Sequence, residues 1–134
     1  MPITRTFDCL QCGKHVENQK NGTGKYCSVA CQHEFQYSER ISIWKSGGDI
    51  GRGPLRRYLT EINNCCWECG IVEWNHKPIT LEVEHVDGNA ENNKEDNLKL
   101  LCPNCHSQTD TYKAKNKGNG RHTRRQRYQD GKSF

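Results

Sequence analysis

Eight of the nine cysteines fall into four close pairs, and their spacing constrains this chain more than any other feature of it. Cys9-Leu-Gln-Cys12 is followed by Cys27-Ser-Val-Ala-Cys31, and Cys66-Trp-Glu-Cys69 is matched much later by Cys102-Pro-Asn-Cys105. A Cys-x-x-Cys turn aims two sulfurs at one centre, and two such pairs complete a tetrahedral sulfur shell suited to Zn²⁺. Gly13 and Gly70 directly follow the second Cys of their pairs, where the backbone must turn tightly. The spacing therefore predicts two structural zinc ions. One is held by Cys9, Cys12, Cys27 and Cys31, the other by Cys66, Cys69, Cys102 and Cys105. Cys65 is left over and could replace Cys66, while His33 could replace a cysteine in the first shell. A set of four disulfides would instead require a secreted protein.

Composition makes such staples necessary. The chain has 134 residues, 32% of them hydrophobic, with a mean hydropathy of −1.03, so a large apolar core cannot be assembled. The N-terminus, MPITRTFDCL, carries no apolar leader, and no run is long enough to span a bilayer. The expectation is a cytoplasmic protein with no membrane association, in a reducing compartment where paired cysteines bind metal. A zinc ion with four protein ligands has no open position, so both ions explain folding rather than chemistry.

The formal charge of +4 falls to about zero once eight thiolates surround two Zn²⁺. Attraction for nucleic acid must then rest on where charge lies. The stretch after residue 112 concentrates Lys113, Lys115, Lys117, Arg121, Arg124, Arg125 and Arg127. From Lys115 onward it lacks apolar periodicity and reads as extended or disordered in isolation, with cations spaced for phosphate contacts. Between the cysteine sets, Tyr37, Ile41 and Trp44 fall on one face of a helix ending at Gly47-Gly48. Pro54 opens a second helix whose apolar side is Leu55, Tyr58, Leu59 and Ile62. Arg52, Arg56 and Arg57 project elsewhere, either as a solvated face or as phosphate contacts.

The stretch LEVEHVDGNAENNKEDNLKLLCPNCHSQTD, residues 81–110, carries the candidate chemistry. Ile79 to His85 alternates apolar and polar residues and reads as a strand. A polar, turn-rich loop follows, then a short strand at Leu98-Lys-Leu-Leu. Pro103 starts a helix expected to run from Asn104 to about Lys115. The order is strand, long loop, strand, helix, clamped at both ends by Cys-x-x-Cys turns. His15, His76 and His122 read as surface residues.

Glu84-His85, Asn97 in the Asp-Asn-Leu step, and His106 after Cys102-Pro-Asn-Cys105 together resemble the HNH endonuclease family and its ββα-metal motif. The match covers about residues 63–117, and the whole chain resembles small phage-type or homing-type members. The resemblance implies a small, zinc-stapled α+β fold, with a ββα-metal nuclease module preceded by a four-cysteine zinc unit. Four segments follow: a zinc unit at 1–36, an arginine-bearing helical connection at 37–62, the nuclease module at 63–117 and a basic tail at 118–134. It also gives roles. His85 is the general base, Glu84 and His106 hold a catalytic Mg²⁺ or Mn²⁺, and Asn97 positions the loop behind His85. Asn93 is the competing central Asn, and Asp87 is close enough to assist. The implied partner is duplex DNA, met by a monomer that is joined by a second copy if both strands are cut. A non-catalytic zinc-dependent DNA-binding regulator on the same scaffold is the alternative, and it would have no need of His85 or His106.

Overall fold

The computed structural model describes residues 4–116 and 122–131. The chain divides into two compact units, Met1–Pro54 and Leu55–Phe134.

In the first unit, strands β1 (Arg5–Asp8) and β2 (His15–Gln19) pair antiparallel, with Phe7 opposite Val16 and Asp8 opposite His15. The turn between them is the first Cys-x-x-Cys. It closes through the Gly13 N–H, which donates to the Cys9 carbonyl at 2.9 Å, with Gly13 at φ +75°. Helix α1 (Val29–Lys45) begins where Ser28 caps it, its Oγ accepting from the Cys31 N–H at 3.1 Å. The helix therefore starts well before the face of Tyr37, Ile41 and Trp44, and its first turn carries Cys31. Gly47, at φ +104°, ends it. Trp44 and Cys9 are the buried apolar residues of this unit among those described.

Helix α2 (Arg52–Ile62) crosses the division, and its Leu55 and Leu59 are buried in the second unit. Ile62 is exposed, so the apolar side is narrower than its spacing implies. The second Cys-x-x-Cys turn repeats the first, with the Gly70 N–H donating to the Cys66 carbonyl at 2.8 Å and Gly70 again at φ +75°. The chain then forms a hairpin of β3 (Glu73–Trp74) and β4 (Lys77–Pro78). Asn75 and His76 turn it with φ of +54° and +62°, a two-residue loop of the twist that hairpins favour.

The strand expected over Ile79–His85 is shorter, because the Ile79 N–H still donates to the carbonyl of Val72, the residue just before the hairpin. Strand β5 (Glu82–His85) pairs antiparallel with β6 (Leu98–Leu101), Glu82 facing Leu101 and His85 facing Leu98. Helix α3 (Pro103–Ser107) packs against both strands, completing a strand–strand–helix arrangement. It also stops earlier than expected. Thr109 turns back on it, its N–H and Oγ1 both donating to the His106 carbonyl, and this local bonding competes with helix continuation. A 3₁₀ turn occupies Lys113–Asn116.

The tail was expected to be extended or disordered, yet α4 (His122–Gln129) is helical. Its Arg and Gln residues are good helix formers, and Arg125 donates to Glu91 at 2.8 Å. Among the described residues no helix is long and apolar enough to cross a membrane.

The second unit buries Leu55, Leu59, Leu81, Leu98, Leu100 and Leu101 with Cys66 and Cys102. Leu100 is fully buried and its carbonyl accepts from the Trp67 N–H at 2.8 Å, joining β6 to the cysteine turn. Leu100→Ala is expected to cost about 2–5 kcal/mol, measurable as an earlier midpoint in urea denaturation.

Candidate active site

The eight paired cysteines assemble as two separate clusters, Cys9/Cys12/Cys27/Cys31 and Cys66/Cys69/Cys102/Cys105, with the Sγ atoms of each within 4.8 Å of one another. Neither Cys65 nor His33 belongs to either cluster. The Cys12–Cys27, Cys27–Cys31 and Cys69–Cys102 sulfurs lie 3.6, 3.5 and 3.8 Å apart. These distances are far beyond the ~2.05 Å of a disulfide. They match the ~3.8 Å edge of a tetrahedron whose centre lies ~2.3 Å from each sulfur. Burial pushes the Cys9 thiol up, but the amides of Cys12, Cys27 and Gln11 outweigh it and hold it at about 6. The Cys27 thiol donates to the sulfur of Cys31 and bonds that of Cys12, and these bonds push it up to about 12. The second cluster repeats this, with Cys66 at about 6 and Cys105 at about 12, raised chiefly by Cys69. One sulfur in each set thus accepts negative charge while a neighbour resists it. Four sulfurs gathered this closely could hold a metal ion.

The pleat of β5 sends Glu82 and Glu84 to one face and Val83 and His85 to the other. On the first face lies His106, carried by α3. Its Nε2 is 2.8 Å from Glu84 Oε2, and its Nδ1 is 2.6 Å from Glu82 Oε2. Glu84 is only 7% exposed, and its other oxygen accepts from Thr111 Oγ1 at 2.5 Å. The Tyr112 ring meets the His106 ring edge-on at 5.2 Å. His106 was expected at the start of a long helix. It instead occupies the last turn of a five-residue one.

On the opposite face, His85 Nε2 donates to Asn93 Oδ1 at 2.8 Å. The amide oxygen can only accept, so the ring donates from Nε2. The two candidate asparagines divide the work. Asn93 touches the ring, whereas Asn97, 8% exposed, braces the loop. Asn97 Oδ1 accepts from the Asp87 N–H at 3.0 Å, and its Nδ2 donates to Asp87 Oδ1 at 3.0 Å and to the Asn92 carbonyl at 2.8 Å. Asp87 also accepts from Asn92 Nδ2 and the Asn89 N–H, and these bonds hold its carboxyl below the usual range. The brace is thus intact above the ordinary aspartate pKa and is lost only as pH falls through the lowered value.

The basic residues are more dispersed. Arg52 and Arg56 are exposed, whereas Arg57 bonds Glu61 at 2.8 Å. Lys113 Nζ sits 5.0 Å from the Tyr112 ring centroid, and Lys115 Nζ reaches the Thr109 carbonyl at 3.5 Å. Arg124, Arg125 and Arg127 fall on α4, while Lys117 and Arg121 lie outside the described residues.

Sequence reasoning missed Glu82 and Thr111. Glu82 was detectable, since it stands two residues before Glu84 on one strand and must share its face. Thr111 follows an irregular turn and gives no such signal.

A 90-residue stretch, 65% of this chain, is 57% identical to a curated relative. That relative is the H-N-H endonuclease F-TflIV of Escherichia phage T5. A matched stretch of that length includes the middle of the chain, β5 among it, wherever it begins. The chain spans 40% of the length of F-TflIV. No family model and no solved structure matches the chain.

Asn97→Ala should remove about 1–3 kcal/mol of stability by orphaning the Asp87 N–H and the Asn92 carbonyl, read as a lower melting temperature.

Proposed function

We propose that this chain is a metal-dependent HNH endonuclease that hydrolyses phosphodiester bonds of duplex DNA. The observation that carries the reading is one strand step with two chemistries. His85 faces one way with its Nε2 on Asn93, and Glu84 faces the other way against His106. The phage H-N-H endonuclease relative supports it.

Glu84 and His106, whose facing atoms lie 2.8 Å apart, would together hold one divalent ion, Mg²⁺ or Mn²⁺. Such an ion would supply Lewis-acid stabilisation of charge on the phosphoryl oxygens and the departing 3′-oxygen. Asn93 keeps the proton on His85 Nε2, so Nδ1 takes the proton from the attacking water. The new P–O bond forms as the P–O3′ bond breaks, and the departing 3′-oxygen takes a proton from solvent water, leaving a 5′-phosphate and a 3′-hydroxyl. Asn97 acts through the loop backbone and touches no reacting atom.

Each cysteine cluster holds one structural Zn²⁺. Arg52, Arg56, Lys113, Lys115 and the cations of the tail serve DNA phosphates, with Arg57 and Arg125 also committed to Glu61 and Glu91. In this reading residues 1–36 form the zinc unit, 37–62 the connection, 63–117 the nuclease and 118–134 the basic tail. The protein works inside the cell as a monomer, in a phage or homing role, and a second copy or event cuts the second strand.

Supercoiled plasmid carrying DNA from the host or its phages should be relaxed or linearised in Mg²⁺ or Mn²⁺. His85→Ala should lower the rate by about 10²–10⁴-fold. Equal cutting by both proteins would remove His85 as the base. Retarded DNA migration without cutting by either would favour the non-catalytic regulator. Titration of the thiols with a mercurial should release two zinc ions per chain and abolish the helical signal in circular dichroism. Release of fewer would contradict one cluster.

A further inference from the structure

Glu84 and His106 account for the ion's ligands, but not for the grip on His106 at both of its nitrogens. Glu82 meets Nδ1 at 2.6 Å, a charge-assisted distance, although its side chain is 45% exposed. Exposed ion pairs are ordinarily weak and loosely held. This one is not free to drift. Glu82 is paired with Leu101 in the β5–β6 ladder, Cys102 follows Leu101, and the His106 N–H donates to the Cys102 carbonyl at 2.9 Å. Both partners are thus tied to the same few atoms of backbone.

The geometry sets Glu82 and Glu84 on opposite ring nitrogens of His106. The two ring nitrogens of an imidazole diverge, so the Glu82 oxygen on Nδ1 points away from the side of the ring that faces Glu84. A carboxylate on Nδ1 has a different effect. It accepts the Nδ1 proton, which leaves Nε2 as the nitrogen available to a metal ion, and it locks the ring plane. Thr111 does the corresponding work on Glu84, occupying Oε1 and leaving Oε2 toward His106.

We propose that Glu82 is a positioning residue whose carboxylate accepts the Nδ1 proton of His106 and so presents Nε2 to the divalent ion shared with Glu84. The inference rests on the reading that Glu84 and His106 hold that ion. It assigns a role to a residue outside the Glu-His, Asn and His motif.

The test is Mn²⁺ binding by the full chain with its cysteine clusters zinc-loaded, followed by the loss of the free Mn²⁺ signal in electron paramagnetic resonance. Glu82→Ala and Glu82→Leu both remove the acceptor, and the second keeps side-chain bulk in the strand. Each should weaken Mn²⁺ binding by about 10–100-fold, with the melting temperature of the zinc-loaded protein little changed. Glu82→Gln, which retains an acceptor oxygen, should recover part of the loss. Glu84→Ala and His106→Ala serve as references for loss of the site. If they lose Mn²⁺ while the Ala and Leu variants at Glu82 bind within about twofold of wild type, the role of Glu82 is overturned and the ligand assignment survives. If all variants bind Mn²⁺ as the wild type does, the ion lies elsewhere, and both the assignment and the inference fall.

Discussion

Cys102 is the joint on which the second unit turns. It is buried, it follows β6 without an intervening residue, and its Sγ accepts from the Cys105 N–H to cap α3. The same sulfur lies 3.8 Å from Cys69, at the far end of a turn that reaches β6 through Trp67 and Leu100. A two-stranded ladder of four residues per strand is marginal in water by itself. Here it is closed at one end by sulfur, which does for this polar chain what a larger apolar core does elsewhere. His106 inherits its place from that joint, four residues on.

The loop from Val86 to Asn97 follows a different principle. It buries almost nothing apolar, yet it must hold His85 steady. It does so with its own amides and carboxylate: Asp87 accepts from Asn89, Asn92 and Asn97, and Asn97 bonds backbone on both sides of the loop. A polar network of this kind stabilises only if its members are satisfied together. Tyr58 of α2, donating to Glu95 at 2.6 Å, and Arg125 of α4, donating to Glu91, attach the loop from outside.

What could be read from the sequence follows from how local each constraint is. The cysteine clusters were legible because metal geometry dictates the spacing between ligands, whatever lies between. Strand β6 was legible from Leu98-Lys-Leu-Leu, with its ends marked by Asn97 and Cys102. Helix α3 was overextended because nothing in Ser-Gln-Thr-Asp forbids a helix, and only the bonds of Thr109 to His106 end it. The β3–β4 hairpin was missed because Asn75-His76 lacks the glycine that usually marks such a turn. Helix α4 bonds through Arg125 to Glu91, a partner thirty-four residues away that local pattern does not reveal. The grip of Glu82 on His106 was half visible, since strand period fixes its face but not the partner brought by α3.

Strand register is where these constraints meet. Because side chains alternate along a strand, a slip of one residue between β5 and β6 would turn every side chain of β5 to the opposite face. The proposed base would then stand where the proposed ligand belongs. Four-residue strands pin register weakly by themselves, and the chain compensates at both ends. Beyond His85, the Val86 N–H donates to the Asn97 carbonyl at 2.9 Å and extends the ladder into the braced loop. Beyond Leu101, the sulfur cluster fixes Cys102 against the turn at Cys66–Cys69. Loosening either end would leave the ladder free to shift. The two faces of β5 therefore remain distinct only while an asparagine and a cysteine cluster, neither of which touches the reacting phosphate in the proposed mechanism, both hold.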